Sequence, residues 1–228
     1  MKTAFNIVLG LCAAALVYIC YASIMGPIDF EEAKQHREKA VISRLIDIRK
    51  AQMEFRTLHK GQYTASFDTL ITFVKTQKLP FVSKEGVLTD KQLEDGMTER
   101  KAMALINKAK KTNNWKEVEA AGLMNFKRDT TWVAVMDTLF PRGFNADSLR
   151  YVPFGGGAQF EMAVKNDTAK SGAPIFLFEV RTPYDTYLNG LDKQEVANLK
   201  DVQTKLGKYC GLMVGSIETP NNGAGNWE

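Results

Sequence analysis

The sequence predicts an α+β fold, in which an N-terminal transmembrane helix continues into a long amphipathic helix packed on a small antiparallel sheet, with a helical insertion. Three observations predict it. No charged residue occurs from Thr3 to Ile28, and neither Pro nor Gly occurs from Asp29 to His59. The last third then changes from helical spacing to short apolar segments separated by glycine-containing turns.

Residues 1–28 read as a transmembrane anchor. A helix rises about 1.5 Å per residue, so about 20 apolar residues cross the roughly 30 Å hydrocarbon core, and Ala4 to Met25 meets that length. Met1-Lys2 and the small-x-small pattern Cys20-Tyr21-Ala22 also fit a secretory signal cleaved after Ala22, which would release a secreted or surface binding domain. The run extends past the roughly 7–15 apolar residues of such signals, up to Gly26-Pro27, which favours an uncleaved anchor. Cys12 and Cys20 follow Leu11 and Ile19, not the small residue that precedes a lipidated cysteine. Lys34, Arg37 and Lys39 beyond the run are offset by Asp29, Glu31 and Glu32. Long domains translocate with little regard to charge, so the expected arrangement is a single pass through the inner membrane with a periplasmic domain.

Residues 29–60 form the predicted stalk and core helix. Glu31 to Lys39 are nearly all charged or small, which predicts a solvent-exposed stalk. From Val41 an apolar stripe begins: Val41, Leu45, Ile48, Gln52 and Phe55, with Ile42, Ile46 and Met53 beside it. Lys60-Gly61 closes the helix.

Residues 61–219 are the predicted soluble domain. Thr64 or Ser66 caps a short helix carrying Phe67, Leu70, Ile71, Phe73 and Val74, which ends before Leu79-Pro80. The helical insertion covers 89–145. In it, Asp90 to Lys111 carries Leu93, Met97, Ala104 and Leu105, Trp115 to Ala121 stops at Gly122, and Thr130 to Leu139 precedes the break at Phe140-Pro141-Arg142-Gly143. Leu149 to Phe154, Gln159 to Val164, Pro174 to Arg181 and Gly211 to Glu218 read as four strands, with a helix near Lys193 to Tyr209. The Asn/Gly-rich segment 220–228 reads as a flexible tail.

Charge and composition exclude some function classes. The 30 basic residues are interleaved with 26 acidic ones, for a net charge of +4. The densest cluster, Lys108, Lys110 and Lys111, reads as a solvated helix face, so no nucleic-acid surface is expected. Only Cys210 lies outside the membrane run, and a single thiol makes no internal disulfide. The two histidines, His36 and His59, fall on different helix faces and predict no shared metal site. Ser216 lacks the nucleophile-elbow pattern, and no Gly-Lys-Ser/Thr follows Gly155-Gly156-Gly157. Asp90, Glu94, Asp95, Glu117 and Glu119 have helical spacings that suit a solvated face better than a calcium site. Asn166-Asp167-Thr168 matches the short glycosylation sequon. No catalytic, cofactor-binding or metal-binding residue is expected, and no cofactor. Trp132 and Trp115 read as core anchors of the insertion. An exposed tryptophan instead anchors an interface, which makes Trp115 and Trp227 the interface candidates.

The run Ile46-Asp47-Ile48-Arg49-Lys50-Ala51-Gln52-Met53-Glu54-Phe55, followed by Gly61-Gln62-Tyr63 and Leu70, resembles the helix end and turn of type IV pilin-like proteins and pseudopilins. The resemblance covers about 25 residues and implies a membrane helix whose continuation packs on an antiparallel sheet. The chain departs from that family in having Leu9 before Gly10 and no acid before Asp29, so the processing and assembly signals of a prepilin are not carried over. The run Gly211 to Ser216 and the ending Gly225-Asn226-Trp227-Glu228 also look like single-span envelope proteins of Bacteroidota, which implies a periplasmic domain and no activity. The function expected is a membrane-anchored, non-enzymatic scaffold or interaction subunit of a cell-envelope assembly, pilus- or secretion-related. Its expected partners are membrane lipid, envelope proteins and further copies of itself. An envelope enzyme without a linear motif is the remaining alternative.

Overall fold

The apolar run and the amphipathic stripe form one helix, α1 (Lys2–Leu58), in a computed structural model that describes residues 2–168 and 172–228. Then follow α2 (Phe67–Thr76), β1 (Lys78–Glu85), α3 (Asp90–Glu94), α4 (Glu99–Thr112), α5 (Lys116–Ala120), β2 (Lys127–Ala134) and α6 (Val135–Leu139). A 3-10 turn (Ala146–Arg150), β3 (Glu161–Thr168), β4 (Pro174–Pro183), α7 (Tyr184–Tyr187), α8 (Lys193–Lys205) and β5 (Gly211–Gly215) complete the order. The chain divides into two compact units, Met1–Lys75 with Leu139–Glu228, and Thr76–Thr138. The α+β class is as the sequence predicts.

In the first unit, antiparallel strands in the order β3-β4-β5 carry the core with α1. Val41, Leu45, Ile48 and Gln52 are fully buried and Phe55 nearly so, as the stripe predicts. Gln52, the one polar member, donates to Thr64 O at 2.7 Å and accepts from Thr64 N at 3.3 Å. A buried amide must be paired, and this one ties the helix to the turn that leaves it. Lys60 and Gly61 both take left-handed backbone, and Gly61 N donates to Arg56 O at 3.0 Å, which ends α1.

The apolar half of α1 is different. Ile7, Leu11, Leu16, Val17 and Ile24 are each more than half exposed. Among the described residues this is the one helix long and apolar enough to cross a membrane. Helix continues through Pro27, which cannot donate to the Ser23 carbonyl.

Several expectations are corrected. The stalk is not free of the domain: Phe30 is buried, and Arg37 Nη1 donates to the carbonyls of Tyr187 and Asn189 at 2.9 and 2.8 Å. Within this stretch Arg37 binds domain carbonyls and Glu38 accepts from Tyr187 Oη, whereas Glu31, Glu32 and Lys39 are exposed. Leu149 to Phe154 is no strand. It forms the 3-10 turn and a loop in which Phe154 takes positive φ and packs edge-on against His36, so the sheet has three strands, extended by isolated bridges Tyr151 to Gln159 and Val214 to Gly225. The tail is held. Asn226 N donates to Met213 O, Gly215 N donates to Ala224 O, and Arg49 pairs with Glu228 at 2.6 Å. Asn/Gly-rich sequence here supplies tight turns against β5 and not freedom. Part of the separator between β3 and β4, residues 169–171, lies outside the described residues.

The second unit spans Thr76–Thr138, where helices over 89–145 were expected. It contains the two-stranded antiparallel sheet β1–β2, in which Pro80 faces Trp132. Both strands are edges, so Pro80 can leave its missing N–H on the outer side. Its core is Leu88, Ala102, Ile106, Ala109, Val118, Leu123 and Phe126. The buried face of α4 is therefore Ala102, Ile106 and Ala109, one step off the predicted stripe, and Leu93 is exposed.

Candidate interaction surfaces

Trp227 and Trp115 belong to different units, and each lines its own cleft. Trp227, half-buried, borders a groove of about 480 Å³ whose walls are Lys34 and Glu38 of α1, Leu199 and Gln203 of α8, Tyr184, Lys208 and Tyr209, and Leu212 and Met213 of β5. The bonds from Asn226 to β5 position the indole: Asn226 Nδ2 donates to Gly211 O at 2.9 Å, and its Oδ1 accepts from Met213 N at 3.1 Å. Glu38 accepts from Tyr187 Oη at 3.3 Å, and burial holds its carboxyl above the usual range against the lowering effect of Lys34. Burial pushes the Tyr209 phenol up to about 12 and raises Tyr184 also, so both rings stay neutral at physiological pH.

Trp115 precedes α5 and is 39% exposed. With Met103, Ile106, Leu123, Met124 and Phe126 it lines a cleft of about 140 Å³ bordered by Lys110, Lys127 and Arg128. Arg128 lies 4.0 Å over the Phe126 ring and bonds Glu99 at 3.1 Å, holding that carboxyl below its usual range. Trp132, expected in the core, stands 63% exposed on β2, because a two-stranded sheet has no second layer over that position.

A third surface escaped the sequence reading. Pro174–Phe178 of β4 pair with Val164–Thr168 of β3 on one side, whereas β5 ends at Gly215 opposite Glu179. That half of β4 has an open edge among the described residues. A cleft of about 340 Å³ runs along it, lined by Arg56, Tyr63, Ile175 to Phe178 and the turn Pro220 to Gly223. An edge can be found only from strand register, which single-sequence patterning does not supply.

Comparison with family models, curated proteins and solved structures finds no match. Among the described residues no group of three or more His, Cys, Asp or Glu side chains could hold a metal ion. His36 packs on Phe154, and His59 stacks on Phe55 at 3.8 Å with Nδ1 2.8 Å from Phe55 O, so the geometry gives both a packing role. Cys210 is half-buried, with Sγ 3.5 Å from Lys200 O.

Proposed function

We propose that the chain is a membrane-anchored, non-enzymatic scaffold subunit of a cell-envelope assembly, pilus- or secretion-related, with its domain on the periplasmic side of the inner membrane. The observation that carries this reading is the continuity of α1: one helix contains both the exposed apolar run and the buried stripe that organises the first unit. No linker separates anchor from core, so a span in the bilayer fixes the height of the domain. Binding partners are then met by backbone and aromatic surface. The open half-edge of β4 offers unpaired backbone groups to an extended segment of a partner, the usual route of strand addition, with Phe176 and Phe178 beside it. Trp115 and Trp227 remain the aromatic anchors of the two other clefts.

The test is in-membrane crosslinking followed by affinity purification of the full chain. The scaffold reading expects defined envelope partners or self-copies, lost when Phe176→Pro removes an outward N–H of the β4 edge. Recovery of an uncrosslinked monomer would overturn it.

A further inference from the structure

The Trp227 groove lies at a defined height on α1. Ile28 ends the uncharged run, and at about 1.5 Å per residue Lys34 stands about 9 Å and Glu38 about 15 Å further along the helix. The headgroup layer adds about 5–8 Å to each side of the hydrocarbon core, and a lysine reaches back toward it along its alkyl stem. The near end of the groove is thus at the level of lipid headgroups.

Its chemistry carries both signs. Lys34 and Lys208 bring ammonium groups, Glu38 brings a carboxylate, and Tyr184, Tyr209 and Trp227 bring aromatic rings. The Lys208 ammonium and the Trp227 indole N–H have no side-chain partner among the described residues, whereas Lys34 is paired with Glu31 at 2.8 Å. A purely anionic ligand would meet Glu38, and a simple cation would meet two lysines. A phosphate joined to a primary amine answers both: the phosphate accepts from the lysines and the indole, and the amine donates to Glu38 among rings that favour cations. The volume of about 480 Å³ suits such a group.

We propose that this groove binds the headgroup of an amine-bearing phospholipid, of the phosphatidylethanolamine type, drawn from the bilayer that α1 spans. This rests on the membrane-anchor reading. Bound lipid would set the orientation of α1 and the first unit together relative to the bilayer surface, since both α1 and the Trp227 side of the unit line the groove.

The test reconstitutes the full chain in phosphatidylcholine nanodiscs with equal phosphatidylethanolamine and phosphatidylglycerol and identifies retained lipid by native mass spectrometry. Phosphatidylethanolamine should be retained preferentially. Lys208→Glu, Glu38→Gln and Trp227→Leu should each lower that retention about tenfold, with helix content unchanged, which corresponds to about 1.4 kcal/mol. Equal retention of the two lipids, or variants that retain as much as the parent, would overturn the groove proposal. A chain that does not enter the nanodiscs would contradict the anchor itself, whereas one that enters and retains no phosphatidylethanolamine contradicts the groove alone.

Discussion

Leu45 and Ile48 are fully buried in the stripe that joins α1 to the sheet. Leu45→Ala should cost about 2–5 kcal/mol, through lost transfer energy and the cavity left behind, and Leu45→Asp or Ile48→Asp should unfold the first unit. Thermal melts followed by circular dichroism check this, and parent-like melting of both Asp variants would refute the packing. Glu38 gives a pH-dependent prediction. Burial raises its carboxyl above the unfolded value, so the native state holds the proton more readily. The stability it contributes is full below the unfolded value and is lost as pH rises through the native one. Glu38→Gln, which can still accept from Tyr187, should raise the melting temperature at pH 7 and leave it nearly unchanged at pH 4. An equal shift at both values would mean that ionisation of Glu38 is not the cause. Gln52 shows what was legible at this scale: its place in an apolar stripe was plain from spacing, but its bond to Thr64 depends on a turn that spacing does not describe.

At the scale of elements, the helices of the first unit were legible because a period of 3.6 marks one buried face over many residues. Strands of the second unit were not. Lys127–Ala134 lies mostly at a two-stranded edge with solvent on it, so burial imposes no alternation and the sequence Thr130 to Ala134 reads equally well as helix. The same limit hid the docking of 220–228, whose turns are polar whether free or packed. That docking makes a specific prediction. Asn226→Ala removes both side-chain bonds to β5 and should destabilise the first unit by about 1–3 kcal/mol. Hydrogen exchange should rise first at Met213 and at the amides of 224–226. Exchange unchanged there would show that the tail contributes nothing to β5.

The whole chain combines an apolar run long enough to cross a membrane with a domain that begins one turn past Pro27. The charged stretch Glu31 to Lys39, expected to be a spacer, is instead part of the fold: Phe30, Arg37 and Glu38 all contact or enter the first unit. No residue of that stretch signals this by type, since Arg37 bonds backbone carbonyls that any sequence would supply. Where the apolar run spans a bilayer, the domain is held close to it and not raised on a stalk. Membrane attachment depends on retention of the first 28 residues. The measurement that tests it most directly is the intact mass of the protein recovered from carbonate-washed membranes. Protein that retains the uncharged run Thr3 to Ile28 is expected in the membrane pellet. A soluble product that begins after Ala22 would contradict it.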